Sequence, residues 1–184
     1  MRTATAIFFS LVILGCGSSS RPRSAPPPPP PPAATDPVER GIQLYQQEQY
    51  AEASRVLGDV VTARSNDARG LTYLGLSLVQ SDRPQQAIPY LDRAAKLDPE
   101  NAEPRYGLGL AAGYLDRVPQ MIDELNEAVR LNPRHAYAHY HLGVGYNQEG
   151  KTDQAIVHLE RFLALAPDAR EAPQVRSLLR RLRM

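Results

Sequence analysis

The sequence predicts an all-α fold: a solenoid of about four stacked helical hairpins closed by a C-terminal capping helix. Three observations carry this prediction. Gly41, Gly75, Gly109 and Gly143 stand 34 residues apart. Leu57, Leu91, Leu125 and Leu159 keep the same period, as do Pro99, Pro133 and Pro167. Composition points the same way. Trp is absent and Phe occurs only 3 times, whereas Ala, Leu, Gln, Glu and Arg dominate, so strand-forming residues are scarce. A fixed period of this length is the mark of a repeat architecture, in which each hairpin buries its apolar face only against its neighbours.

The chain has 184 residues, with 21 Lys+Arg against 20 Asp+Glu and a formal net charge of +1. That balance argues against a nucleic-acid partner, which calls for a basic excess. The first element, residues 1–15, is a targeting segment. Met1-Arg2 gives a positive start, and Ala6 to Leu14 is an apolar run of nine residues broken only by Ser10. A membrane-spanning helix needs about 20, so this run reads as a signal-peptide core. It ends in Ile13-Leu14-Gly15-Cys16, which resembles the lipobox of bacterial lipoproteins. The resemblance implies that Cys16 becomes the acylated, palmitate-bearing N-terminus of the mature chain. It also implies attachment to the cell membrane, with the outer membrane as the expected address because Gly17, not Asp, follows the cysteine. Acyl chains bury about 0.8 kcal/mol per CH₂, and two or more hold stably. Cys16 is the only cysteine, so a disulfide framework and a cysteine zinc site are both excluded.

Residues 16–35 form a Ser/Pro-rich linker with seven consecutive prolines, Pro26–Pro32. Proline fixes φ and has no N–H, so the run is expected to be polyproline II, about 3.1 Å per residue and roughly 22 Å in all. A semi-rigid spacer is the preferred reading; a docking site for an aromatic-lined groove on a partner is the alternative.

Residues 36–184 form the repeat domain. Helices are expected near 37–48, 51–65, 68–81, 84–97, 102–115, 118–131, 136–148 and 152–165. Each position of the period has a physical role. The leucines put apolar side chains on facing helices, and the glycines let those helices approach closely. The prolines end each second helix. Pro89 falls inside a helix, where a bend without a break is expected. The first copy departs from the pattern at Pro37, Arg40 and Ser65, as a terminal repeat with one wet face can. In the third copy, Ala112 and Met121 reverse the large-then-small pairing of Leu44/Ala53, Leu78/Ala87 and Tyr146/Ala155. Met121 is therefore expected to fill the space that Ala112 leaves. After Pro167, Val175, Leu178, Leu179 and Leu182 recur at i, i+3, i+4, i+7, one face of a ninth helix.

This pattern resembles the tetratricopeptide repeat (TPR): in the clearest copy His139, Leu142-Gly143, Tyr146, Ala155, Leu159 and Pro167 occupy its marked places. The family's fold implies a concave groove built by the first helix of each hairpin, in which a peptide or helix of a partner protein docks. Transferred position by position, the groove residues are Tyr45, Leu76, Tyr106, Leu110, Tyr114, Tyr137, Tyr140, Val144 and Asn147. Val38, Ile42, Arg69, Thr72, Val79, Glu103, Gly113 and Gln148 stand at equivalent places. The Lys/Asn pattern with which chaperone-binding members clamp a C-terminal carboxylate is missing, so that ligand is not expected.

Little in the chain suggests chemistry. His139 and His141 are two apart on one helix and point to different faces. His139 takes the aromatic place of its repeat and is read as a packing residue. No HExxH, Gly-rich phosphate loop or nucleophile elbow occurs. No enzyme activity, metal or cofactor is expected. The resulting expectation is a lipid-anchored scaffold on the periplasmic face of the outer membrane. It would assist assembly of an outer-membrane, pilus or secretion complex. The alternative is a structural tether between membrane and cell wall acting through the Arg-rich last helix.

Overall fold

A computed structural model describes residues 36–184; Cys16 and Pro26–Pro32 lie outside the described residues. Among the described residues there are nine α-helices and no strand. They are α1 (Pro37–Gln46), α2 (Tyr50–Ala63), α3 (Ala68–Gln80), α4 (Pro84–Leu97) and α5 (Ala102–Tyr114), then α6 (Val118–Leu131), α7 (Ala136–Gln148), α8 (Thr152–Leu165) and α9 (Ala172–Leu182). None of these is long and apolar enough to cross a membrane.

The two helices of each hairpin start differently. Every first helix has a side-chain cap on its orphan N–H groups. Asp36 accepts from the Val38 N–H at 3.2 Å, Asp67 from Gly70 at 2.8 Å and Asn101 from Glu103 at 3.0 Å. His135 does the same through Nδ1, accepting from the Ala138 N–H at 3.1 Å. Second helices have no such cap. They follow a tight turn whose key residue has positive φ: Glu48, Asp82, Asp116 and Gly150, again spaced by the repeat. Only the last is glycine. The left-handed turn after Gln46 also explains why α1 ends two residues earlier than expected.

Packing follows the glycine–leucine rungs. Leu57, Leu91, Leu125 and Leu159 are fully buried. A Cβ built on Gly109 would lie 2.6 Å from Leu125 Cγ, and one on Gly143 would lie 2.5 Å from Leu159 Cγ. Both are far inside van der Waals contact, so glycine is what permits the approach. α4 runs unbroken through Pro89, whose ring sits on the exposed face, where water can serve the carbonyl that loses its partner. α9 buries Val175 and Leu179 against Leu159 and Phe162 and leaves Arg176, Arg180 and Arg181 exposed, so it caps the last repeat as its periodicity suggested.

Consecutive helices pack throughout, and the first helices also meet across hairpins, α1 with α3 and α3 with α5. Contact between α5 and α7 is much sparser. Met121 of α6 stands in that gap. It is 6% exposed and belongs to the same core cluster as Ala112. Its Sδ lies 2.8 Å from the place a Cβ on Gly113 would take, and its Cε lies 2.5 Å from the corresponding place on Gly145. The side chain therefore does more than fill the volume beside Ala112. It reaches from the end of α5 to the C-terminal part of α7 and acts as a wedge between them.

Candidate functional site

Because α5 and α7 are held apart, the inner face of the solenoid opens into a cleft of about 270 Å³ walled by Leu110, Gly113, Tyr114, His141, Val144 and Gln148, with Met121 at its floor. A second cleft, about 420 Å³, is lined by Tyr45, Tyr50, Tyr106, Tyr114, Tyr137 and Tyr140. Gln80, Leu110, His141, Arg170 and Glu171 complete its walls. Leu110, Tyr114 and His141 belong to both, so the two form one continuous groove.

The tyrosines are fixed by one another and by neighbouring rings. Tyr45 meets Tyr50 and Tyr73 edge-to-face, with centroids 5.4 and 5.5 Å apart. Tyr106 lies 4.4 Å from the His135 ring, and Tyr140 lies 4.9 Å from His141 and 5.2 Å from Phe162. Such contacts hold large side chains in place before any ligand arrives. The Tyr137 hydroxyl donates to Glu171 Oε2 at 3.1 Å, joining α7 to the residue before α9. Burial pushes the phenol of Tyr45 up to about 12 and raises those of Tyr106 and Tyr140 as well. All three stay protonated as hydrogen-bond donors at neutral pH.

Of the residues expected in the groove, Tyr45, Tyr106, Leu110, Tyr114, Tyr137, Tyr140 and Val144 line it. Two do not. Leu76 is 1% exposed and packs against Gly107, so it lies in the core behind the groove. Asn147, half-buried near the end of α7, lines neither cleft. Val38, Ile42, Thr72 and Val79 are also buried. The first two hairpins thus fill their inner positions with core, and the open groove belongs mainly to α5 and α7. Sequence reasoning missed Tyr50, which enters from the start of α2, and Arg170 and Glu171, which enter from the turn before α9. Their positions depend on how hairpins stack, which the repeat pattern does not encode.

The histidines divide between faces as their spacing required. His141 is in the groove, and burial, then the charge of His135, pushes it down to about 4. On the opposite side His139 pairs with His158, Nδ1 to Nδ1 at 3.0 Å, while His139 Nε2 sits 3.2 Å from the Pro133 carbonyl. Donation from Nε2 to that carbonyl leaves Nδ1 as the acceptor, so His158 supplies the shared proton. Burial, then His139, pushes His158 down to about 4, and burial lowers His139 too. Among the described residues no group of three or more His, Cys, Asp or Glu side chains is placed to hold a metal ion.

These shifts set a pH dependence. A histidine held neutral in the fold contributes stability that is complete above the unfolded value of about 6.5 and is lost as pH falls toward the folded value. Urea unfolding is expected to show a stability lower by on the order of a few kcal/mol at pH 5 than at pH 7. His141→Gln should remove a clear part of that difference; an unchanged difference in the variant would exclude His141 as a source.

A family model for the tetratricopeptide repeat matches residues 38–102, 74–113 and 106–170. The crystal structure of a MamA protein is 30% identical, with a TM-score of 0.64 over 77% of this chain and 82% of that one. MamA from Desulfovibrio magneticus RS-1 is 25% identical, with a TM-score of 0.62 over 73% and 76% of the two chains. YrrB, described as a TPR protein with an unusual peptide-binding site, is 26% identical, with a TM-score of 0.62 over 79% and 75%. No curated protein matches the sequence.

Proposed function

This chain belongs to the tetratricopeptide repeat family, and we propose that it is a lipid-anchored scaffold of the bacterial envelope that holds a segment of a partner protein in its tyrosine groove. The observation that carries the binding half is the groove itself. Six tyrosines from three hairpins converge on one open face, and aromatic residues that combine large contact area with a polar tip are the usual anchors of protein interfaces. The peptide-binding site of YrrB, a relative of similar fold, supports the same reading. The anchoring half rests on Cys16, the sole cysteine, one residue beyond an apolar run too short to span a bilayer. On this reading the domain is tethered at the periplasmic face of the outer membrane through residues 16–35. There it would assist assembly of an envelope complex.

One experiment tests both halves. A photoreactive phenylalanine analogue is placed at Tyr114, 56% exposed in the groove, or at Val157, 62% exposed on α8 and outside it. Cells are irradiated and then fractionated. The expected result is a crosslinked partner from Tyr114 and not from Val157, found with the membranes. In a Cys16→Ser background palmitate incorporation should vanish and the crosslinked product should leave the membrane fraction. Crosslinking from Val157 alone would move the binding surface, and a Cys16→Ser chain that still fractionates with membranes would remove the lipid anchor.

A further inference from the structure

We propose that the segment bound in the tyrosine groove is proline-rich and held as a polyproline II helix, presented by a partner chain; the inference rests on the groove being the binding surface. The groove's hydrogen-bonding chemistry separates the candidate ligands. Its walls carry six phenol hydroxyls beside the side chains of Gln80, His141, Arg170 and Glu171, and the hydroxyls of Tyr50, Tyr106 and Tyr140 make no hydrogen bond to another described residue. They are donors in need of acceptors. An α-helical ligand has its carbonyls already bonded within itself and offers few. An ordinary extended strand offers carbonyls but brings an equal number of N–H donors, for which the walls hold only the amide carbonyls of Gln80 and Gln148 and a Glu171 carboxylate already engaged by Tyr137. A polyproline segment has no N–H groups, exposes a free carbonyl at every residue, and presents flat pyrrolidine faces that stack on aromatic rings. It is also preformed, so little conformational entropy is lost when a rigid groove receives it.

Charge narrows the ligand further. Glu171 and Arg170 offset each other on the wall, and Glu103 behind it, whose charge adds to burial in raising the phenols of Tyr45, Tyr73 and Tyr106, supplies the excess negative charge. With His141 neutral, the surroundings of the groove are slightly acidic, and they suit prolines flanked by basic residues better than by acidic ones. Residues 21–32 of this chain, Arg-Pro-Arg-Ser-Ala followed by seven prolines, have that chemistry and supply a ready probe.

The test is fluorescence anisotropy with a labelled peptide of that sequence, titrated with the full chain and with a full chain whose Pro26–Pro32 are replaced by Gly and Ser, which removes any competing tract. Saturable binding is expected, with a dissociation constant below about 1 mM. Tyr106→Phe and Tyr140→Phe, which keep the ring and delete the donor, should each weaken it several-fold with the circular dichroism unchanged. A peptide with alanines in place of the seven prolines should not bind. Absence of saturable binding to both proteins overturns the proposal, as does equal binding of the alanine peptide or indifference to both Phe variants. If the peptide fails while crosslinking from Tyr114 still yields a partner, the groove stands and only the proline-rich occupant falls.

Discussion

Met121→Ala is expected to lower the stability of the repeat domain by about 2–5 kcal/mol, the usual range for truncating a buried methionine. Two features put this site toward the upper part of that range. The side chain is almost fully buried and bridges two helices that otherwise barely meet. Its neighbours Gly113 and Gly145 have no side chains that could turn inward to fill the void. Truncation therefore leaves a cavity, or lets α5 and α7 close on each other and narrow the cleft that Met121 floors. Met121→Leu conserves volume, and such exchanges usually cost less than about 1.5 kcal/mol. Leucine is nonetheless too short to reach both glycines, so an intermediate loss is expected. Urea unfolding of the three proteins measures this directly. An alanine variant within about 0.5 kcal/mol of the parent, the level of an ordinary surface change, would mean that Met121 is not a wedge.

Residues that repeat were legible in the sequence, and residues that act between repeats were not. The glycine–leucine rungs appear at one spacing because each hairpin solves the same close-approach problem, and the structure packs them as that spacing implied. The reversed pair Ala112/Met121 was visible as an exception, and its burial follows from conserved volume. Its reach to Gly145 was not, since Gly145 lies outside the repeated positions. The positive-φ turns keep the period too, yet only Gly150 marks one strongly: Asp82 and Asp116 tolerate the left-handed region, and Glu48 gives no sign of it. Leu76 occupies a groove place by register, but in the first two hairpins those places are consumed by packing between adjacent first helices. The His139–His158 contact joins two helices of one hairpin at a separation with no short-range signature. Tyr50, Arg170 and Glu171 reach the groove from turns and helix ends, where the direction of a side chain depends on superhelical stacking.

The central claim is that the tyrosine groove is the partner-binding surface. Tyr106 and Tyr140 occupy the same place in adjacent repeats and both line the larger cleft. Hot-spot truncations cost about 2 kcal/mol or more each, so the double variant Tyr106→Ala, Tyr140→Ala should lose several hundred-fold in affinity, which is near-complete loss of recovery. Tyr106 is also packed against two core clusters, so Tyr114→Ala, at the most exposed groove tyrosine, provides a second variant with little structural role. The deciding measurement is a crosslinking pull-down from native membranes with the parent, the double variant and Tyr114→Ala, each checked by circular dichroism. The account predicts folded proteins, near-complete loss of the partner with the double variant and a clear reduction with Tyr114→Ala. Folded variants that recover the partner as well as the parent does would contradict it and move binding to another face of the solenoid.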